Sequence, residues 1–322
     1  MLSVSLPYYP TPVASVILAV YNQENFLDAA IESILSQTFK NFELLIFDDG
    51  STDRSADIIK KFVEKDHRIK AVFEANSGRS NATNKLVSVA KGDWCVFVDA
   101  DDIMFPGRIE KQLTFHNAHP EIAASSSHCR YIDEHGNTFG MQRYHGLSTI
   151  VEFKKTIAQQ EFITCSYTGL MVRREIFIKL GGLTKKFELC DDFDFINRLV
   201  EQGYILLIIQ EALMKYRIHA GAFTVKNPLF MREKIAYVMH CNRQRRAGNP
   251  EIDFASFLEI QKRRPFWIRI GERRFYYATI FFRGAGQAIL SKRYFSFAWQ
   301  IVASCLLSPV YVFKKIVNHS VH

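Results

Sequence analysis

Short, uninterrupted apolar runs alternate with segments of helical periodicity over the first hundred residues of the chain. Runs of this kind are typical of strands that are buried on both faces, as in a parallel sheet. Strands that alternate with helices through short connections predict a doubly wound α/β sheet. The four predicted strands are 14–20, 42–47, 69–73 and 94–98.

Polar and acidic side chains follow each of these strands at the point where the strand ends. Doubly wound sheets bind their ligands at the carboxyl ends of the strands, so we expect these side chains to form one site. They are Tyr21 to Glu24 after the first strand, Asp48 and Asp49 after the second, Glu74 to Asn76 after the third, and Asp99 to Asp102 after the fourth.

The carboxylates after the fourth strand suit a divalent cation. Asp99 and Asp101 are two residues apart on an extended segment, so both can converge on one hard ion such as Mg²⁺ or Mn²⁺. Such an ion can bridge the phosphates of a nucleotide diphosphate and neutralise the charge that develops as it leaves. Alone, the pattern fits a polar turn with a helix cap better, but its place beside the other acidic strand ends favours the metal site.

The end of the second strand, Asp48-Asp49-Gly50-Ser51, has two interpretations. One carboxylate could accept a hydrogen bond from a base or from a ribose hydroxyl, as acids do in nucleotide-binding folds. The same residues fit an Asx-turn with glycine. Tyr21 likewise could stack on a base or simply pack against its neighbours.

The alternation loosens after residue 120, and beyond about residue 224 aromatic and basic residues dominate. We therefore expect a first domain of residues 1–225, followed by a mostly helical, basic and aromatic segment of residues 226–322. Between residue 120 and that boundary, strands are predicted at 122–132, 169–173 and 205–209, and a helix at 193–202.

Four ordered motifs resemble those of family 2 glycosyltransferases, which have the GT-A fold, and they span about residues 14–224. The resemblance implies an α/β, Rossmann-like GT-A fold: a mixed, mostly parallel sheet flanked by helices, here with a mostly helical C-terminal extension. It also implies inverting transfer of a sugar from a nucleotide-diphosphate donor, usually a uridine nucleotide in this family. The motifs are VILAVYNQENFLDAAIESILSQTFKNFELLIFDDGSTDRS at 16–55, the block from Asn76 to Asp102, Cys190-Asp191-Asp192-Phe193-Asp194-Phe195, and Tyr216-Arg217-Ile218-His219.

The resemblance further implies roles for individual residues. Asp192 stands where the family has the base that deprotonates the acceptor hydroxyl. Asp101 would ligate a divalent metal, Mn²⁺ or Mg²⁺, and His219 would join the metal or the diphosphate when the terminal loop closes. The expected nucleotide-sugar contacts are Tyr21, Glu24, Asp49, Asn76, Gly78, Arg79 and Asp99, with Asp99 on the ribose or the donor sugar.

The chain departs from the family pattern at two places. The acidic motif usually begins with Glu, and here Asp191 is shorter by one methylene. The second block usually reads A-R-N-x-G, whereas Thr83 and Leu86 replace its Arg and Gly. Lys85 or Arg79 could replace the missing Arg electrostatically.

The C-terminal segment carries much of the net charge of +8. Residues 294–313 are uncharged over the length of a bilayer crossing, with basic residues on both sides. Because Gln300, three serines and Pro309 lower its hydropathy, we favour helices packed on the first domain or lying on an anionic membrane surface over a true span. Scattered cysteines and the lack of a signal-like N-terminus predict a cytoplasmic protein, with peripheral attachment at the inner face of the membrane left open.

These observations favour a metal-dependent glycosyltransferase with a nucleotide-sugar donor and a glycan or lipid-linked acceptor, in cell-surface polysaccharide or glycolipid synthesis. A non-catalytic scaffold on the same fold would be expected to lose the carboxylates, which are retained. A nucleotidyltransferase would need a Gly-rich basic loop after the first strand, where Tyr21-Asn22-Gln23-Glu24 stands. The charge alone would suggest nucleic-acid binding, but no recognition motif is present and no nucleic-acid partner is expected.

Overall fold

The computed structural model describes residues 11–219, 221, 226–290 and 293–319. Its contacts divide the chain into two compact units, Met1–Glu251 and Ile252–His322. Residues 222–225, at the domain boundary expected from the sequence, lie outside the described residues, so the boundary after residue 225 stays a prediction. The first four strands are β1 (Ala14–Val20), β2 (Phe42–Asp49), β3 (Ile69–Glu74) and β4 (Trp94–Asp99).

These four strands are parallel and lie in the order β3-β2-β1-β4. Their carboxyl ends are aligned, because Val20 pairs with Asp48 and Ala19 pairs with Asp99. Alternate residues pack on opposite faces: Val16 joins a core cluster on one side of the sheet and Ile17 a second cluster on the other. Burial on both faces explains the mostly apolar sequences of β1, β2 and β4, whereas β3, at the edge of the sheet, is largely exposed.

The second half of the sheet is mixed. Its strands are β5 (Ile103–Met104), β6 (Ile122–Ile132), β7 (Thr138–Gln142), β8 (Met171–Arg173) and β9 (Ile205–Arg217). β8 is antiparallel to β4 and to β6, whereas β6 and β9 are parallel, which gives the order β3-β2-β1-β4-β8-β6-β9-β5 with β7 paired to β6. The predicted mixed sheet is confirmed.

Helices flank the sheet on both sides, and the last of the first unit, α8 (Pro228–Arg246), is tied to α7 (Asp191–Glu201) by partly buried ion pairs. Arg245 lies within 3.3 Å of Asp194 and 2.8 Å of Glu201, while Arg246 lies 2.9 Å from Glu201. The helices are α1 (Leu27–Leu35), α2 (Ser55–Lys65), α3 (Arg79–Val89), α4 (Arg108–Ala118), α5 (Ile150–Ala158), α6 (Arg174–Lys179), α7 (Asp191–Glu201) and α8 (Pro228–Arg246).

The second unit is helical, as the sequence predicts. Within the parts of the chain that the structure describes, no helix combines the length and the hydropathy needed to cross a membrane. The helices of this unit are α9 (Phe254–Arg263), α10 (Phe266–Leu290), α11 (Tyr294–Leu307) and α12 (Pro309–His319).

Candidate functional site

The loops after β1 and β2 are joined to each other by hydrogen bonds. The backbone amide of Glu24 donates to Asp53 Oδ2 at 3.0 Å, and the Glu24 carboxylate accepts from the Arg54 backbone and side chain at 3.1 Å. Tyr21, at the end of β1, leaves about half of its surface exposed. Tyr21 and Glu24, which are predicted to contact the nucleotide, therefore lie together at the edge of the sheet, in loops that hydrogen bonds hold in place.

Asp49, at the end of β2, holds the loop that follows β3. Its buried carboxylate accepts from the Ser77 amide at 2.7 Å and from the Gly78 amide at 2.9 Å. Gly78 has φ of +94° and ψ of 152°, a backbone conformation that essentially only glycine adopts. The structure thus gives Asp49 a positioning contact, and its predicted direct contact with the nucleotide stays a prediction. Asn76, on the same loop, is exposed.

Arg79, in the first turn of α3, lies among three carboxylates. Its guanidinium donates to Asp191 and lies 3.8 Å from Asp99 Oδ1 and 3.7 Å from Asp192 Oδ1. The guanidinium also stacks on the ring of Tyr167, with its central carbon 4.7 Å from the ring centre. One cation therefore joins the carboxyl end of β4 to the start of α7.

Asp191 fixes the direction of its neighbour Asp192. The Asp191 side chain is fully buried, where it accepts from Arg79 and from Ser80 Oγ, the latter at 2.5 Å. These bonds tie the N-terminus of α7 to the N-terminus of α3. Asp192 is consequently held on the same side as Asp99, while about a quarter of its side chain remains exposed.

The cluster holds more negative than positive charge. Burial raises the pKa of Asp99 to about 7, against the lowering effect of Arg79 and with a further rise from Asp101. Burial also raises the pKa of Asp192, again against Arg79 and with a contribution from Asp191. A second cation at this edge would relieve the repulsion among these carboxylates, so the donor set fits a divalent metal.

Asp101 and His219 meet at the same edge, with Oδ2 and Nε2 3.1 Å apart. Arg217 secures the segment, because its amide donates to Asp102 Oδ1 and its Nε to the Asp101 carbonyl, both at 2.8 Å. No three His, Cys, Asp or Glu side chains of the described residues are arranged as a complete metal site. The pair would therefore need ligands from a diphosphate and water, which is the usual way in which Mg²⁺ is held.

The comparison with known proteins decides the family. Residues 15–181, more than half of the chain, match the family model described as glycosyl transferase family 2. The chain belongs to glycosyltransferase family 2. An uncharacterised glycosyltransferase of Methanocaldococcus jannaschii is 35% identical over 213 residues, which cover 64% of this chain and 71% of that protein.

Solved structures confirm the GT-A fold of this family 2 member. The Staphylococcus aureus TarS 1–349 structure, in complex with UDP, matches with a TM-score of 0.55 and 15% identity, over 92% of this chain and 90% of that one. The mannosyltransferase PcManGT from Pyrobaculum calidifontis, in complex with GDP-Man and Mn²⁺, also gives 0.55 and 15%, over 92% and 86%. As a family 2 member with this fold, the chain is a nucleotide-sugar glycosyltransferase.

Proposed function

We propose that this glycosyltransferase moves a sugar from a UDP-sugar to a hydroxyl of a glycan or lipid-linked acceptor, with inversion at the anomeric carbon. The product would enter a cell-surface polysaccharide or glycolipid. The observation that carries the proposal is the placement of Asp99 and Asp192 on either side of the Arg79 guanidinium, at 3.8 and 3.7 Å. Asp99, the carboxylate expected on the donor side, and Asp192, the candidate base, thus lie beside the same part of the site.

Asp192 would take the proton from the acceptor hydroxyl. Its burial raises its pKa, which makes it a stronger base than an ordinary carboxylate and brings it closer to the working pH. Asp191 is fully buried and already accepts hydrogen bonds from two side chains, so it would position Asp192 without touching the acceptor. The acceptor oxygen would then attack the anomeric carbon from the face opposite the diphosphate.

Asp101 and His219 would hold Mn²⁺ or Mg²⁺ together with the donor diphosphate. When bound, the metal would supply positive charge that stabilises the departing diphosphate. The Asp101–His219 contact at 3.1 Å shows that the two side chains converge. The structure of PcManGT in complex with GDP-Man and Mn²⁺ supports a divalent metal in this fold.

Tyr21, Glu24 and Asn76 would contact the nucleotide along the rim formed by the strand ends. Asp49 would act there through the 76–79 loop, which its carboxylate holds by hydrogen bonds to Ser77 and Gly78. UDP is the ligand of the TarS structure, which favours a uridine donor, whereas PcManGT carries a guanosine one.

Calorimetric titration with UDP, with and without Mn²⁺ and with GDP and CDP for comparison, tests the donor and the metal. We expect UDP-selective binding that Mn²⁺ strengthens. Asp101→Asn should remove the metal effect, whereas Asp192→Asn should bind UDP normally and lose about 10²–10⁴ in turnover. Asp57→Asn, on the exposed face of α2, is the matched control. Equal binding with and without Mn²⁺, or full turnover by Asp192→Asn, would contradict the respective assignment.

A further inference from the structure

The net charge of the protein lies entirely on its second unit. Residues 252–322 contain eleven Lys and Arg but three Asp and Glu, a net charge of +8, which equals that of the whole chain. The first unit is therefore balanced. A concentration of positive charge on one small helical unit indicates an anionic partner for that unit.

Helix α11 presents a stripe of large apolar side chains to solvent. Phe295 is 88% exposed, Trp299 49%, Val302 56% and Leu306 74%. Their spacings of four, three and four residues place them on one face of the helix. We call Phe295, Trp299, Val302 and Leu306 the apolar stripe.

The opposite face of α11 carries Ser296, Gln300 and Ser304, and it meets α10. Gln300 donates to Ser296 Oγ at 2.8 Å, and Ser304, which is fully buried, donates to the Ala278 carbonyl at 2.7 Å. Gly284 of α10 faces the amide of Gln300, which occupies the space that a Cβ would need. Small and polar residues thus take part in the contact with α10, beside the edge-on pair of Trp299 and Phe281, while large apolar side chains remain outside. Small and polar residues at helix contacts are typical of helices in lipid.

The other helices of this group also carry exposed aromatic and basic residues. Val310 and Phe313 of α12 are about two-thirds exposed, as are Phe266 and Trp267 at the start of α10. Exposed basic residues stand beside them, namely Arg273, Arg274, Arg293 and Lys315. Aromatic side chains at the water interface and basic residues at the headgroups are typical of proteins that lie on a bilayer.

We propose that α10, α11 and α12 bind the surface of an anionic bilayer, with the apolar stripe inserted at the boundary between headgroups and acyl chains. Helix α11 is 14 residues long and reaches about 21 Å, less than the roughly 30 Å of a bilayer core, so it lies in the interface. A second copy of the chain is a poorer occupant, because it carries the same +8 charge and would repel the first.

Vesicle flotation of the full-length protein tests the proposal. We expect binding to vesicles of phosphatidylglycerol and phosphatidylcholine, and weak binding to phosphatidylcholine alone. Leu306→Glu should reduce binding about tenfold or more, because it removes apolar contact and adds a negative charge. Val151→Glu is the matched control, since Val151 is 78% exposed on α5 of the first unit, and it should bind like the wild type.

Arg273→Glu with Arg274→Glu tests the electrostatic part and should also lower binding, by about tenfold or more. Melting temperature and UDP binding establish that each variant is folded, and neither depends on the membrane surface. Unchanged flotation of Leu306→Glu would overturn the proposal, as would absence of wild-type binding to anionic vesicles at low salt. A lipid-free dimer that Leu306→Glu separates, without vesicle binding by the wild type, would overturn it in favour of self-association.

Discussion

Removal of Arg79 should shift the pH dependence of turnover, because this residue is the cation nearest to the proposed base. The Arg79 guanidinium lies 3.7 Å from Asp192 Oδ1, where an ion pair is worth about 4 kcal/mol at an effective dielectric constant of about 20. Both side chains are about 30% exposed, so solvent screening reduces this energy. A rise in the pKa of Asp192 is therefore expected for Arg79→Gln, because the carboxylate loses the cation that lowers its pKa.

The sign of the effect follows from the role of Asp192. A base works only when ionised, so a higher pKa lowers the ionised fraction and moves the acid limb of the rate profile to higher pH. On that limb Arg79→Gln should lose about ten- to hundredfold in rate. The difference in rate between Arg79→Gln and the wild type should disappear as the pH rises above the new pKa of Asp192. Arg79→Lys keeps a positive charge at this position, so its rate on the acid limb should lie between those of the wild type and Arg79→Gln.

UDP release, measured from about pH 5.5 to 9.5 with the UDP-sugar that binds best, provides the profile. Lys85→Gln is the control on the same helix, since Lys85 pairs with exposed Glu74 outside the cluster. Arg79→Gln also strands the buried Asp191 carboxylate, which could cost about 3–5 kcal/mol of stability. The double variant with Asp191→Asn relieves that cost while still removing the cation. A rate loss that stays constant across pH in both variants would refute the electrostatic role.

Three further perturbations follow from the same contacts. Gly78→Ala should lower the free energy of unfolding by the roughly 1–3 kcal/mol of backbone strain, because its φ of +94° and ψ of 152° suit glycine alone while the nearby Glu188 side chain can turn away; thermal melting should show an effect of the same order for Gly136→Ala, at φ of +86° in open space. Arg245→Ala should cost about 1.5–3 kcal/mol in a denaturation experiment, because it removes charged hydrogen bonds to Glu201 and Asp194 while Arg198 still pairs with Asp194 at 2.7 Å; a loss below about 1 kcal/mol would contradict this. His219→Ala should weaken the Mn²⁺-dependent part of UDP binding and leave the metal-free part unchanged, as calorimetry would show.

The sheet was predictable from the sequence because its first strands are buried on both faces. The runs 14–20 and 94–98 are apolar except for Ser15, whose buried hydroxyl donates to Glu43, and β1 begins and ends where predicted. The later strands are less regular. Strand β9 extends to Arg217, well beyond the predicted 205–209, because the polar pair Gln210-Glu211 interrupts the apolar run while backbone pairing with β6 continues through a bulge.

The edge strand β7 and the short strand β5 carry no comparable signal. Residues 138–142 pair with β6 alone and are partly exposed, so no apolar run marks them. Strand β5 has two residues, Ile103 and Met104, and exists because β9 lies beside it. Pairing of this kind is set by the tertiary fold and has no local pattern from which it could be predicted.

The candidate site was predictable as a set of strand ends, whereas the contacts within it were not. The motifs indicate Asp99, Asp101 and Asp192, but 93 residues separate the first from the last, and sequence alone does not bring them together. Arg217 belongs to the motif at 216–219, but its hydrogen bond to the Asp101 carbonyl depends on where β9 ends. Long-range contacts of this kind follow from the topology of the sheet.

The missing Arg at position 83 is best understood in helical terms. Arg79 and Thr83 are four residues apart on α3, so they lie on the same face of the helix, and Thr83 is buried there. A guanidinium at position 79 can therefore serve the same side of α3 as one at position 83, and the observed contacts of Arg79 with Asp191 and Asp99 lie on that side. The A-R-N-x-G motif lacks its Arg in the linear sequence. On the helix, Arg79 supplies the positive charge one turn earlier. We therefore predict that the double variant Arg79→Thr with Thr83→Arg, which moves the charge to position 83, recovers part of the turnover that Arg79→Thr alone loses. If turnover does not recover, the guanidinium is needed at position 79 and cannot act from position 83.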